Sequence, residues 1–258
     1  MERHFGEQLM KLSIVTVAYN AEATIAAAVA SVVGQRQTGF ELEYIVVDGA
    51  STDGTLKAIE PWTQRIAHVI SEPDEGLYDA MNKGWQAATG DAVAFLNSDD
   101  VYADDRVLER VAAAFVQGVE GVYGDLVYVD GERVTRRWVS GTYAPGAFRR
   151  GWMPPHPTFF ARRAAFERWG GFRTDLRSAA DYELMLRFIH RHGLVLGYVP
   201  HVLVRMQVGG VSNANWRNRL RANREDRSAW RLNGLRMPPW TPLMKPLRKL
   251  GQFLPWNR

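Results

Sequence analysis

The residues with the most chemical promise are carboxylates. Asp48, Asp53, Asp74, Asp79, Asp91, Asp99, Asp100, Asp104 and Asp105 crowd the first half of the chain, whereas arginines crowd the end, from Arg217 to Arg258. Asn97-Ser98-Asp99-Asp100 directly follows the apolar run Ala92-Val93-Ala94-Phe95-Leu96. Hard divalent cations take oxygen ligands, and Mg²⁺ commonly uses one or two carboxylates while phosphates and waters complete its shell. A D-x-D-like turn at a strand end therefore suits Mn²⁺ or Mg²⁺ on a diphosphate, where a cation neutralises charge on the departing group. The same pair of aspartates also reads as an ordinary solvated turn.

Elements must bring such groups together. Leu12 to Val17, Tyr44 to Val47, His68 to Ile70 and Ala92 to Leu96 are short and β-branched or apolar, and predict buried strands. Between them, Ala23 to Val33, Leu56 to Trp62 and Leu77 to Ala88 read as helices, and Asp104 to Val116 as another whose acidic start suits the helix dipole. Alternation of this kind predicts an α/β fold with a Rossmann-like, mostly parallel sheet flanked by helices. Ligands of such sheets bind beyond the carboxyl ends of the strands. Those ends are Ala18-Tyr19-Asn20, Asp48-Gly49, Ser71-Glu72 and Asn97 to Asp100, and three of them carry carboxylates that repel unless a cation compensates. Tyr19, Asn20, Glu72 and Asp74 fall at the edge of this cleft. Asp53 reads equally as a ligand or as a cap of the next helix.

After Gly118, Val122 to Tyr128 and Arg133 to Val139 predict strands around Asp130-Gly131. Helices are expected at Arg163 to Trp169 and Ala180 to His192, then two extended stretches, Val195 to Val199 and Val202 to Met206. Glu183 and Arg187 are spaced as an i,i+4 pair.

Composition excludes several classes. The 258 residues are 46% hydrophobic, enough for a sizeable core. No cysteine is present, which removes disulfides and thiolate metal sites. Residues 1–11 lack the apolar segment of a secretory signal, and no run approaches the roughly 20 apolar residues of a bilayer span. The turn after the first strand, Tyr19-Asn20-Ala21-Glu22-Ala23, lacks G-x-G-x-x-G, and no phosphate loop of the G-x-x-x-x-G-K-[ST] type occurs, which disfavours dehydrogenases and P-loop NTPases.

Four ordered segments carry a resemblance. They are Ser13 to Asn20, Val46 to Thr55, Ser71 to Gly84 and Asn97 to Asp100, and over roughly residues 11–212 the chain resembles glycosyltransferase family 2 of the GT-A fold, in particular its bacterial surface-polysaccharide (colanic-acid-type) subgroup. The resemblance implies an inverting transferase that moves a sugar from a nucleotide-sugar donor to a glycan or lipid-linked glycan. It implies that Asp48 contacts the nucleobase or ribose and that Asp99 holds the metal with Asp100 beside it. Asn97 stands where the family often has aspartate, and its amide can still bond a ribose hydroxyl. Lys83 lies on the helix that faces either the diphosphate or solvent. Asp181, in Ala180-Asp181-Tyr182-Glu183, matches the general base, with Ala180 replacing the family's common glutamate. His156 matches an acceptor-side histidine, and Arg205 with residues 209–212 resembles the segment that closes over the diphosphate. The departures at Asn97 and Ala180 leave a second reading, a non-catalytic sugar-nucleotide-binding or scaffold protein of the same fold.

The expected organisation is a catalytic domain over 1–212, with a donor half near 11–118 and an acceptor half near 119–212, then a basic, Trp-rich helical extension over 213–258. Trp216, Trp230, Trp240 and Trp256 among arginines suit a membrane interface, with an amphipathic anchor at Leu243 to Trp256, or equally a helix packing its Trp residues on the catalytic domain. Expected localisation is cytoplasmic or peripheral at the inner face of the cell membrane. No nucleic-acid partner is expected, since no reading module accompanies the basic tail.

Overall fold

A computed structural model describes residues 9–208, 216–250 and 252. Its centre is a nine-stranded mixed sheet. The strands are β1 (Met10–Ala18), β2 (Phe40–Asp48), β3 (His68–Ser71), β4 (Ala92–Phe95), β5 (Asp100–Tyr102), β6 (Gly121–Asp130), β7 (Arg133–Trp138), β8 (Phe160–Arg162) and β9 (Leu196–Gln207). They run in the order β3-β2-β1-β4-β8-β6-β9-β5, with β7 hairpinned on β6. The β3-β2-β1-β4 portion is parallel throughout. Beyond β4 the pairing becomes antiparallel through β8 and β6, and β9 then lies parallel to β6.

The parallel strands are continuous apolar runs because both their faces are covered. Val15 and Val17 of β1 enter one core with Ile45, Val47 and Phe95, under the helices α3 (Leu77–Ala87), α5 (Arg163–Trp169) and α6 (Ala180–Met185). Leu12 and Ile14 point the other way, into a second core with α1 (Ile25–Val33) and α4 (Val107–Ala114). Between α1 and α3 in the chain lies the short α2 (Thr55–Ile59). The approach of α3 to β1 needs Gly84, because a Cβ there would collide with the Val15 side chain.

The sequence expectations hold for the four parallel strands, the hairpin and the early helices, with shifted boundaries. The helix expected over 56–62 is α2 followed by a 3-10 turn to Arg65, where Pro61 lacks an N–H for a continued ladder. The helix expected from Asp104 starts at Val107. Asp104 precedes it and accepts from Arg106 N at 2.8 Å and from the Arg110 guanidinium. The two late extended stretches are one strand, β9, with register shifts where it leaves Tyr123 and rejoins β6. The helix expected over 180–192 is α6 continued by a π-helical segment, Leu186–Arg191. The Glu183–Arg187 pair forms at 2.9 Å with Glu183 buried and Arg187 largely so, and Arg187 also donates to the carbonyls of Gly170 and Gly171.

At the amino end of the sheet, buried Glu43 ties β2 to β1 and to the turn before β4. It accepts from Ser13 Oγ at 2.6 Å, from Thr89 N at 2.7 Å and from Lys11 Nζ at 2.9 Å. Burial alone would raise its pKa, but the hydrogen bonds from Ser13 and Thr89 outweigh it and hold the carboxyl at about 2. A depressed carboxylate stabilises the fold above its unfolded pKa, and that contribution fades as pH falls from about 4.5 toward about 2. Glu43→Gln should therefore cost about 1–2 kcal/mol at neutral pH, allowing for screening at the sheet rim. Urea unfolding at pH 7 and pH 3 checks it: the gap between wild type and variant should shrink at the lower pH.

Candidate active site

The strand order places a switch point between β1 and β4, since the chain leaves β1 toward β2 and β3 and returns to β4 on its other side. Ligands of such sheets bind in the crevice formed there. Two loops built at the carboxyl ends of β1 and β2 line one wall. Asn20 and Ala50 both adopt left-handed backbone, with φ of 49° and 58°, a conformation that L residues hold only when their surroundings over-determine it. Here the surroundings are reciprocal bonds. Asn20 N donates to Ser51 Oγ at 2.8 Å, and Asn20 Oδ1 accepts from Thr52 N at 2.9 Å. Glu22 accepts from Gly54 N at 2.7 Å. Asp53 ties the loop to the start of α2: it accepts from Thr55 N at 3.0 Å and from Glu22 N at 3.2 Å.

Asp48 closes β2 and is fully buried. It accepts from Ser51 N at 3.1 Å, from Ser71 Oγ at 2.7 Å and from the Ser51 hydroxyl. These bonds use three of its roughly four acceptor positions. Asp48 therefore shapes the loop as a pin between β2 and β3 and keeps one acceptor position. Gly49 beside it lets the Asp74 carboxylate come close, since a Cβ there would displace that side chain, and the Tyr19 ring lies at contact distance from the same point. Tyr19, Gly49 and Asp74 thus converge, and the Tyr19 ring is 65% exposed.

Lys83 projects from α3 onto the loop that precedes it. Its ammonium donates to Pro73 O at 2.7 Å and pairs with Glu72 at 3.0 Å and Asp79 at 3.6 Å. The hydrogen bond to Glu72 holds its pKa above the ordinary lysine value. Lys83 fixes the 72–74 loop on α3, so Glu72 is occupied by a cation while Asp74 faces the Gly49–Tyr19 corner.

The opposite wall starts where β4 ends. Asp100 N closes the turn on Asn97 O at 3.1 Å, and Asn97 Nδ2 donates to Asp100 Oδ2 at 3.0 Å. Asp100 is fully buried and its Oδ1 has no hydrogen-bond partner. Burial, with the neighbouring Asp99 charge, pushes its carboxyl up to about 8. Asp99 is half-buried, and no described residue bonds its carboxylate. A buried oxygen without a partner beside a second free carboxylate fits a hard divalent cation, whose charge would remove the repulsion. Among the described residues no three His, Cys, Asp or Glu side chains converge. β5 then pairs with β9, setting Val101 opposite Arg205. This three-residue strand, which no sequence pattern marks, brings Arg205 alongside the acidic turn. Residues 209–212, expected to close over the diphosphate, lie outside the described residues.

The second half of the site is aromatic. Phe95, two residues before Asn97, stacks on His156 at 5.9 Å, and Phe172 meets Phe95, His156 and Tyr78 at 4.9, 5.6 and 5.8 Å. Tyr78 Oη, on α3, donates to Asp181 Oδ1 at 3.4 Å. Burial holds His156 below the ordinary histidine pKa, opposed by the Asp181 charge. Asp181 is in the first turn of α6, where a carboxylate gains from the helix dipole. Tyr78 thus touches Asp181, while Phe172 links the Tyr78 ring to His156 and to Phe95. In the sequence Tyr78 stands out only as a member of the Ser71 to Gly84 segment. Its signal is its place one residue after Leu77 on the helix that borders the cleft.

The α/β sheet with this crevice, an acidic turn on one side and a carboxylate at a helix start on the other, has the GT-A fold. Residues 13–178 match glycosyl transferase family 2. A PGL/p-HBAD biosynthesis glycosyltransferase of Mycobacterium tuberculosis is 32% identical over 210 residues, covering 78% of each chain. The fold is shared with S. aureus TarS 1-349 in complex with UDP-GlcNAc (TM-score 0.66, 19% identity, 87% of this chain and 65% of that one). It is shared too with the mannosyltransferase PcManGT from Pyrobaculum calidifontis in complex with GDP-Man and Mn²⁺ (TM-score 0.66, 22% identity, 95% and 70%). A longer TarS structure is spanned over 37% of its length. The chain belongs to glycosyl transferase family 2, and is a transferase of sugars from nucleotide-sugar donors. Its relatives do not single out the colanic-acid type.

Proposed function

We propose that this enzyme is an inverting, divalent-cation-assisted glycosyltransferase of cell-surface polysaccharide synthesis, acting on a hydroxyl of a glycan or lipid-linked glycan. The observation that carries it is the junction at Phe95, where β4 leads into the Asn97–Asp100 turn while the same ring stacks on the His156 pocket beside Asp181. Asp99, with Asp100 beside it, would hold Mn²⁺ or Mg²⁺, which supplies Lewis-acid neutralisation of the diphosphate. Tyr19, Asn20 and Asp74 line the nucleoside wall, with Asp48 and Lys83 holding its loops and Asn97 at the ribose end. Arg205 lies on the strand beside the acidic turn, where a guanidinium can clamp phosphate.

Asp181 takes the proton of the acceptor hydroxyl as its oxygen attacks the anomeric carbon. The bond from that carbon to the diphosphate oxygen breaks on the opposite face, and the diphosphate leaves with the electron pair. His156, kept uncharged by burial, orients the acceptor. The catalytic portion spans 1–212, with donor and acceptor halves meeting near residue 118.

A thermal-shift screen of nucleotide sugars with and without Mn²⁺ tests this reading. One donor should raise Tm in the presence of the cation by about 2–4 °C per kcal/mol of binding free energy. Silence toward every donor, with or without cation, would leave the non-catalytic scaffold reading standing instead.

A further inference from the structure

The carboxy-terminal helices carry none of the residues assigned above to the transfer chemistry. The helix α7 (Trp216–Leu232) ends against α6: Trp230 is buried and its Nε1 donates to Tyr182 Oη at 2.8 Å. After a turn, α8 (Thr241–Leu250) returns across the same region. Thr241 Oγ1 donates to Arg149 O at 2.7 Å, Lys245 pairs with Asp226 at 2.6 Å, and the Lys245 ammonium lies 3.6 Å from the centre of the Tyr182 ring. One face of α8 is thus anchored to the residue next to Asp181.

The other face is turned outward, and it is the apolar one. Trp240, Leu243 and Leu247 are 55%, 68% and 56% exposed. At 100° per residue, Leu243 and Leu247 fall on the side opposite Thr241 and Lys245, one turn apart, with Trp240 beside them. A helix of a water-soluble surface normally turns this stripe inward, and contiguous exposed apolar patches mark interaction sites.

The chemistry around the stripe indicates its partner. From Arg227 to Arg258 the sequence carries Arg227, Arg231, Arg236, Lys245, Arg248, Lys249 and Arg258, and no aspartate or glutamate. Arg236 and Arg248 are exposed, as are Arg149 and Arg150 in the 3-10 turn that holds Thr241. None of these four pairs with a carboxylate among the described residues. An apolar stripe with an indole at its end, with exposed cations flanking it on α8, on the turn before it and on the turn that holds it, matches an anionic bilayer, where headgroups attract the cations and the indole sits at the boundary.

We propose that the outward face of α8 docks the enzyme on an anionic lipid surface, with Trp240, Leu243 and Leu247 entering the interface and Arg149, Arg150, Arg236 and Arg248 contacting headgroups. Docking this face sets the helix that carries Asp181 beside the bilayer. The corollary that the acceptor is lipid-linked rests on the proposed transfer reaction; the docking itself does not.

The test is flotation of the full chain with vesicles of phosphatidylcholine alone and of phosphatidylcholine containing about one third phosphatidylglycerol. The protein should float with the anionic vesicles, and less so at high salt. The triple variant Trp240→Ser, Leu243→Ser, Leu247→Ser should lose about tenfold or more in vesicle affinity, and Arg248→Glu a smaller, salt-sensitive part. Both variants should keep the wild-type melting profile and its shift with nucleotide sugar. Absence of flotation with anionic vesicles, or equal flotation of the folded triple variant, overturns the proposal. So does a lipid-free dimer, seen by sedimentation velocity and abolished in the triple variant, because the face would then belong to a second copy. Vesicle binding without any donor response would defeat the transfer reading and leave the docking intact.

Discussion

Asp181→Asn should lower kcat by about 10²–10⁴-fold while donor affinity stays within a few-fold of wild type. Asparagine keeps the shape of the side chain and an oxygen that can still accept the 3.4 Å bond from Tyr78. It loses the ability to take a proton. Loss of proton transfer acts on the transition state and leaves ground-state binding of the nucleotide untouched, so the defect belongs in kcat. Single-turnover transfer, measured beside the donor-induced thermal shift, separates the two. A variant with wild-type turnover would remove Asp181 from the base role, and one that lost the donor shift would make it a binding residue. His156→Gln gives a useful contrast. Its ring is packed between Phe95 and Phe172, so the expected change is a higher acceptor KM with a smaller loss of kcat.

Much of the candidate site was legible in the chain because the wall at the ends of β1 and β2 is built from local rules. Buried parallel strands are continuous apolar runs, so β1, β2 and β4 announce themselves, and each run must give way to a loop at the ligand edge. The Asp53 bond to Thr55 N and the Glu183–Arg187 pair are also short-range. The rest depends on partners far away in sequence. β5 is only three residues long and exists because β9, about a hundred residues later, pairs with it. The engagement of Lys83 was half visible: its i,i+4 relation to Asp79 is a sequence fact, but the bond to Pro73 O needs the loop to fold back over α3. Asp48 shows the same limit. Its position at a strand end was readable, whereas its bonds to Ser51 and Ser71 require β2 and β3 in register. The tryptophans of the tail make the point most sharply. Trp230 and Trp240 share a composition and a neighbourhood, yet one is buried on Tyr182 and the other is more than half exposed. Only the packing of α7 and α8 on α6 decides which is core and which is surface.

Asp99→Ala should abolish transfer and, unlike Asp181→Asn, should also remove the cation-dependent part of donor binding. The physical reason lies in the turn itself. Asp100 is buried with an oxygen that nothing in the protein satisfies, and its carboxyl is pushed up to about 8 by that burial and by Asp99. The two carboxylates therefore oppose each other's ionisation, a cost that a bound cation would convert into affinity. Removing Asp99 takes away both the repulsion and one ligand. The folded protein should be as stable as wild type or slightly more so without cation, while the added shift from Mn²⁺ with nucleotide sugar disappears. That pair of opposite signs is diagnostic, since a merely structural aspartate would lower the melting temperature with or without cation. Thermal melts of wild type and Asp99→Ala in four conditions, with each of Mn²⁺ and donor present or absent, read it directly. An undiminished cation-dependent shift in the variant would move the cation elsewhere on the protein and reduce Asp99 to a residue of the turn.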